Sequence, residues 1–295
     1  MIMGIDVGYS HTKVCTENGL DIFRSTVNEG AIDINVNSTK ISFEGKDYTI
    51  GEKVGSFSVK LNKINDTIFR LCLYSAIARN LRNHDTSIEL VIGLPIQYYK
   101  DQKKQLIDAL ENTSVSMTLN NKPINFEITK CLVFPQSAGG VILYPDLFKE
   151  NITVIDIGGM TVDVAFYSDF SLQNYRTYEE GMLKLYDTVV QSIKANYGVS
   201  YDILQAEDII NSKIIHKDGE DIDCSDVIEQ ILSAHANRII TRIMAGIREY
   251  EISKHIFMGG GSYILRKYLP DVIEEKNIFA NADAFYRIGV ERFAN

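Results

Sequence analysis

Val154-Ile155-Asp156-Ile157-Gly158-Gly159-Met160-Thr161-Val162-Asp163 is an apolar run interrupted by an aspartate and a glycine pair, after which the apolar pattern resumes. Near the start, Ile5-Asp6-Val7-Gly8 carries the same message, 150 residues earlier, and re-enters a strand at Thr12-Lys13-Val14-Cys15. Each phrase reads as strand–Asp–x–Gly–strand, a hairpin that places a carboxylate and backbone N–H groups at the turn. Glycine lets such a backbone approach a phosphate closely. One hairpin of this kind is ordinary turn chemistry. Two of them, one per half, suggest a duplicated domain with a nucleotide clamped between the halves.

Composition sets the frame. The chain has 295 residues, 45% hydrophobic and 23% charged, enough for two domains with ample cores. Its net charge of −9 argues against a broad non-specific nucleic-acid surface, so work near DNA would go through a partner. The four cysteines, Cys15, Cys72, Cys131 and Cys224, show no C-x-x-C pair and read as buried free thiols of a reducing compartment. The opening Met-Ile-Met-Gly-Ile-Asp has no basic leader region, and no apolar stretch approaches the roughly 20 residues that span a bilayer. A cytoplasmic protein without a membrane partner is expected.

Along the chain, residues 1–25 read as three strands. Residues 27–61 alternate in short runs with glycine turns, as in Ile41-Ser42-Phe43-Glu44-Gly45-Lys46-Asp47-Tyr48, and suggest a small inserted subdomain. Helical spacing predicts a helix over 66–81, then a strand over 88–94 stopped by Pro95, and a helix over 97–112. Residues 124–134 supply another strand, ending at Pro135-Gln136-Ser137 before a small-residue helix to about 143. The second half repeats the plan, with strands at 152–157, 161–167 and 171–177 and a helix over 181–196. Helices follow over 202–210 and 225–250, then a strand over 255–258 opening into Gly259-Gly260-Gly261, and a last helix over 282–293.

Several residues stand out for their chemistry. Asp6 and Asp156 end buried strands where hydrophobes would pack better, and a shared Mg²⁺ on nucleotide phosphates, reached through waters, accounts for both. The plainer reading is that each caps its own turn. Gly8, Tyr9 and Ser10 in the first turn, and Gly158, Gly159 and Met160 in the second, offer N–H groups to phosphate. Lys13 either reaches a β-phosphate or is a solvated lysine on an edge strand. Gly259-Gly260-Gly261-Ser262 sits at a strand-to-helix turn, where bare backbone can form an adenine or ribose wall; alone it would be only a tight turn. Gln136 either orients an attacking water or is a polar residue at a helix start. Asp163 reads as structural or supporting, and the five histidines as ordinary.

Taken in order, these motifs resemble the actin, heat-shock-chaperone and sugar-kinase superfamily. Its phosphate-1, connect-1, phosphate-2, adenosine and connect-2 motifs map onto residues 4–15, 131–145, 152–166, 254–263 and 281–293. Within it the chain is most similar to the ParM-type plasmid-segregation actins, through Val-Ile-Asp-Ile-Gly-Gly-Met-Thr-Val-Asp, Phe-Met-Gly-Gly-Gly-Ser and the ending Asn281-Ala282-Asp283-Ala284-Phe285-Tyr286-Arg287-Ile288-Gly289. Tyr9 is bulkier than the usual phosphate-1 turn residue, and Gln136 stands where several relatives carry glutamate.

The resemblance implies a duplicated α/β fold of two domains, each with a mixed five-stranded sheet, and a nucleotide in the cleft between them. Domain I would comprise 1–136 plus 282–295, and domain II 137–281. ATP, or GTP in its place, would bind with Mg²⁺, and Thr161 and Gly181 would join the nucleotide-binding set. Gln136 and Asp156 would carry hydrolysis. The resemblance also implies an ATPase that assembles head-to-tail into helical filaments and moves plasmid DNA through a centromere-binding adaptor. The alternatives from other classes are a small-molecule kinase, which would want a catalytic aspartate and sugar pocket, and an ATP-regulated binding module.

Overall fold

The computed structural model describes residues 1–30, 39–82, 85–270, 273–274 and 278–293. The chain opens with β1 (Ile2–Val7), β2 (His11–Thr16) and β3 (Gly19–Arg24). Next come β4 (Thr26–Glu29), β5 (Thr39–Phe43), β6 (Lys46–Ile50) and β7 (Ser56–Phe57). Helix α1 (Thr67–Asn80) leads to β8 (Ser87–Leu94), and α2 (Tyr99–Leu110) to the hairpin β9 (Thr113–Leu119) and β10 (Lys122–Pro135). After the short α3 (Ala138–Leu143) the second half begins with β11 (Ile152–Ile157), β12 (Val162–Ser168) and β13 (Ser171–Tyr178). It continues through α4 (Met182–Tyr197), α5 (Ala206–Ser212), the hairpin β14 (Ile214–Lys217) and β15 (Glu220–Asp223), and α6 (Ser225–Gly246). Strand β16 (Lys254–Met258), α7 (Gly260–Leu265), β17 (Ile273–Glu274) and α8 (Ala280–Phe293) complete it.

The two halves share one topology. In the first, β1 pairs antiparallel with β2 and β2 with β3, while β8 runs parallel to β1 and β10 parallel to β8. In the second, β11 pairs antiparallel with β12 and β12 with β13, while β16 runs parallel to β11 and β17 parallel to β16. Both five-stranded cores are therefore mixed sheets of the same order, and the duplication read from the motifs holds at the level of hydrogen-bonded strands. Central strands β1 and β11 are almost wholly buried, which is why they read as continuous Ile/Val runs rather than alternating ones.

The first sheet goes beyond five strands. Strand β9, a polar–apolar alternation that the motif reading passed over, pairs with β10 and then with β5. Hairpin β5–β6, with β4 and β7, extends the sheet to ten strands in the order β3-β2-β1-β8-β10-β9-β5-β6-β4-β7. Within the proposed insertion over 27–61, residues 31–38 lie outside the described set, as do Ala294 and Asn295 at the end of the proposed first domain. The hairpin β14–β15 is a second pair not foreseen, because its strands are only four residues each.

Helices cover the sheets as their patterns require. Asp66 caps α1 by accepting the Ile68 N–H at 3.0 Å, and α1 is buried on nearly every side, from Phe69 through Ala78. Helix α4 buries Leu185, Tyr186, Val189 and Ile193 at helical spacing and ends at Gly198, whose φ of 73° gives the left-handed cap. Helix α6 stops at Gly246, earlier than its apolar pattern suggests, and α5 begins later than expected, after a turn capped by Asp202. All four cysteines are buried and free. Among the described residues no helix is long and apolar enough to cross a membrane.

Helix α8 lies back across the first sheet. Phe285 and Ile288 pack with Val91, while a side chain at Gly4 would strike the Ala282 carbonyl and the backbone of Tyr286. A Cβ at Gly93 would stand 2.6 Å from the Phe285 ring, so both strands need glycine for this helix to dock. Gly4→Ala is expected to cost about 1–3 kcal/mol by overpacking backbone against backbone. Equilibrium urea unfolding of the purified variant measures it, and an unchanged midpoint would contradict the docking.

Candidate functional site

Between the halves lies a cleft of about 250 Å³ where the two Asp–Gly hairpins converge. Their turns are built alike. Gly8 N–H donates to the His11 carbonyl at 3.1 Å, and Gly158 N–H to the Thr161 carbonyl at 2.9 Å. The tips meet: a Cβ on Gly159 would stand 2.7 Å from the Ser10 nitrogen, so only glycine permits this approach. Among the described residues, the N–H groups of Tyr9, Ser10, Gly159 and Met160 have no protein acceptor. Such converging free amides suit an anion.

Each buried aspartate is held by a carboxamide. Gln136 Nε2 donates to Asp6 Oδ1 at 2.7 Å, and Asn281 Nδ2 donates to Asp156 Oδ2 at 2.7 Å. Gln136 stands where β10 leads into α3, and Asn281 near the start of α8, so the two clamps come from the two segments that join the halves. Strand register completes the pattern. Asp6 lies opposite Lys13, whereas Asp156 lies opposite Asp163. The first hairpin thus pairs its carboxylate with a cation, and the second pairs it with another carboxylate.

Asp163 also joins the halves. It accepts from the Ile96 N–H at 3.1 Å, from Thr161 Oγ1 at 3.1 Å and from Thr177 Oγ1 at 2.5 Å. Beside the cleft, Arg24 on β3 pairs with Glu207 on α5 at 3.0 Å, and Lys53 with Asp208 at 2.6 Å.

Two family models divide the chain between them. Residues 4–139 match the actin-like proteins N-terminal domain, and residues 154–271 match the archaeal actin homologue MreB-like C-terminal domain. The chain belongs to the actin-like superfamily. Its fold is the actin-like two-domain α/β arrangement, as the motifs implied. Solved structures agree along the whole length. A 15-stranded ParM filament from Clostridium botulinum is 24% identical, with a TM-score of 0.82 over 98% of this chain and 99% of that one. The archaeal actin homologue Ta0583 in complex with ADP is 23% identical, with a TM-score of 0.81 over 99% of both chains. An Alp12 filament structure is 25% identical, with a TM-score of 0.70 over 99% of this chain and 98% of that one. By sequence, no curated protein matches significantly.

In this actin-like chain the cleft gathers most of the residues singled out by sequence. Asp6, Gly8, Tyr9, Ser10, Lys13, Gln136, Asp156, Gly158, Gly159, Thr161 and Gly259 to Gly261 all line it. Met160, Gly181 and Ser262 do not. Gly181 packs behind the second turn, its N–H donating to the Met160 carbonyl at 3.0 Å, and Ser262 Oγ donates to the Gly259 carbonyl at 2.8 Å. The Tyr9 ring is turned away from the tip, its hydroxyl donating to the Lys60 carbonyl at 2.9 Å, so its bulk leaves the turn amides free. The three glycines differ in purpose. Gly259, at φ 84°, packs on the Asp156 carboxylate and Gly261 on Ile157, while Gly260 faces open space.

Other lining residues were not foreseen. His11 shares a strand face with Lys13, a parity the sequence does carry, and bonds Ser10 Oγ at 2.9 Å. Met182 and Tyr186 come from α4, Glu207 from α5, Tyr263 from α7 and Ile278 from the segment before α8, and only the fold assembles them. Asn281 was legible only as the first residue of the connect-2 motif, with no role assigned to it. Its place near a helix start mirrors that of Gln136.

The electrostatics favour a cation in this cleft. Burial pushes the Asp156 carboxyl up to about 7, helped by facing Asp6 and Asp163 and opposed by the Asn281 bond and Lys13. Burial likewise pushes Asp163 up to about 6, against its bonds from Thr177, Thr161 and the Ile96 amide. Among the described residues no three His, Cys, Asp or Glu side chains are grouped to ligate a metal directly, so a divalent ion here would be held through waters, with the unpartnered Asn281 Oδ1 as a further acceptor.

A carboxyl whose folded pKa is raised stabilises fully below its unfolded value and loses that contribution as pH rises through the folded value. For Asp156 the loss runs from the ordinary 3.8 to about 7. His11 and His235, both lowered to about 4 chiefly by burial, act in the opposite sense over part of that range, so the informative quantity is a difference. Asp156→Asn is expected to raise the melting temperature of the ligand-free protein, relative to wild type, more at about pH 8 than at about pH 5. A pH-independent difference in thermal melts would show that Asp156 is not strained in its charged form.

Proposed function

We propose that this protein is a nucleotide-driven polymerising ATPase that assembles into dynamic filaments and moves plasmid DNA through a centromere-binding adaptor. The observation that carries the nucleotide part is the tip-to-tip meeting of two Asp–Gly hairpins over paired, amide-clamped carboxylates. In this reading the free amides of the two turns hold the phosphates and Lys13 reaches the β-phosphate. Gly260, open on the cleft side, forms part of the adenine or ribose wall, with Gly259 and Gly261 setting its backbone and Ser262 bracing it. Gly181 and Met160 support the second turn from behind. Asp6 and Asp156 hold Mg²⁺ through waters, and the ion, when bound, neutralises phosphate charge. Gln136, whose Nε2 is committed to Asp6, keeps its Oε1 to orient a water.

The filament part rests on likeness. The C. botulinum ParM and Alp12 proteins, matched over nearly their full lengths, are described as filaments, and the matched archaeal homologue was solved with ADP. The net charge of −9 fits a DNA partner reached through an adaptor and not by direct contact. We take 1–136 plus 282–295 and 137–281 as the moving domains, in a cytoplasmic protein.

Right-angle light scattering at micromolar protein tests the proposal. Adding Mg-ATP is expected to raise scattering above a critical concentration, with decay as phosphate is released. A flat trace with ATP bound would remove the filament reading and favour a kinase or a regulated binding module of the same fold. Gln136→Ala alone is expected to slow phosphate release on the order of a hundredfold, as for a misplaced water. Gln136→Ala with Asp156→Ala is expected to abolish it, and phosphate release by the double variant at the wild-type rate would refute these assignments.

A further inference from the structure

The two hairpin tips are backed by different devices. Behind the second, the start of α4 holds every turn carbonyl: Met182 and Leu183 donate to Gly158 and Gly159 at 3.0 and 2.7 Å, and Gly181 to Met160. The first tip has no such helix. Facing it is the irregular segment 58–66, which brings in Lys63. This lysine is 2% exposed, and its Nζ donates to the Val7 carbonyl at 2.8 Å. The ammonium also lies 5.7 Å from the Tyr9 ring centre and 5.3 Å from that of Phe69. Among the described residues no carboxylate pairs with it directly. Asp6, Asp163 and Asp66 act on it through space, and two of these line the cleft.

Burying an ammonium without a paired carboxylate opposes folding. What it accomplishes is visible in the peptide it touches. The Val7 carbonyl and the Gly8 N–H belong to one planar unit; Lys63 holds the carbonyl, and the His11 carbonyl holds the N–H. With both ends fixed, the unit dictates where Tyr9 and Ser10 begin and so where their free amides point. The same segment accepts the Tyr9 hydroxyl at Lys60 and is tied to α2. Gln102 Oε1 accepts the Lys63 N–H at 3.3 Å, and Gln102 Nε2 donates to the Leu61 carbonyl at 3.1 Å.

We propose that Lys63 is a positioning residue for the nucleotide site, pinning the first phosphate hairpin and setting a buried positive charge beneath Asp6 and Asp163. This rests on the nucleotide reading above. Lys63→Met keeps the side-chain length and removes the charge. Its ligand-free form is expected to melt at the wild-type temperature or higher, since an unpaired charge is no longer buried, while Mg-ATP binds about tenfold or more weakly by calorimetry. Amide hydrogen exchange in the ligand-free variant is expected to quicken at residues 8–10 and stay unchanged at 158–160.

Unchanged affinity with unchanged exchange would overturn the proposal. So would weaker binding accompanied by a lower melting temperature and faster exchange throughout, the mark of a lysine that only supports the fold. If wild type itself fails to bind Mg-ATP, the nucleotide reading falls separately, and the exchange at residues 8–10 still decides whether Lys63 pins the hairpin.

Discussion

Bringing two hairpin tips into contact forces Asp6, Asp156 and Asp163 into one buried cleft, and the repulsion among them is the constraint around which the molecule is organised. At short range in a poorly solvated interior, like charges interact strongly. The protein moderates this with two carboxamides, two lysines and three hydrogen bonds onto Asp163, drawn from both halves. None of these neutralises all the carboxylates. Burial and, for Asp156, the remaining repulsion raise the Asp156 and Asp163 carboxyls above their ordinary range, so a proton or a cation entering the cleft would relieve that repulsion.

Duplication supplies the frame, and departures from symmetry supply the chemistry. Equivalent turns carry equivalent Gly-to-carbonyl bonds, and equivalent aspartates carry equivalent clamps. Opposite those aspartates, however, stand Lys13 in one half and Asp163 in the other. One hairpin is propped by a helix start and the other by a single side chain. A pocket between identical walls would have no direction. These differences give the cleft a positive side and a negative side.

Much of this was legible in the residues. The two Asp-x-Gly turns, their glycines and the repeated strand order are local signals, set by turn geometry and burial, and they appear where the sequence places them. The pairing of Asp156 with Asp163 follows from counting outward from the turn. Lys63 was not legible, because it falls between the alternating run over 27–61 and the helix over 66–81 and carries no local signal until the Val7 carbonyl is seen beside it. Glu207 and Arg24 meet across 183 residues, and no local pattern encodes that contact. Strand β9 was missed because Thr-Ser-Val-Ser-Met-Thr-Leu buries only alternate residues and offers a weak apolar signal.

The docking of α8 on β1 has a consequence for biosynthesis. Residues 2–7 leave the ribosome well before the helix that covers them, which comes from residues 280–293. The central strand of the first sheet must therefore wait, one apolar face open, until the rest of the described chain has been made. Contacts of such long sequence separation form slowly and leave nascent chains prone to association. The second half depends less on late segments: one face of its sheet packs against helices within 182–265, and the other is covered chiefly by Val141, Leu143, Leu147 and Phe148, which precede it, with Ala280 added at the end. The glycines at 4 and 93 thus do more than admit a helix: they keep a landing site clear for a segment that arrives late.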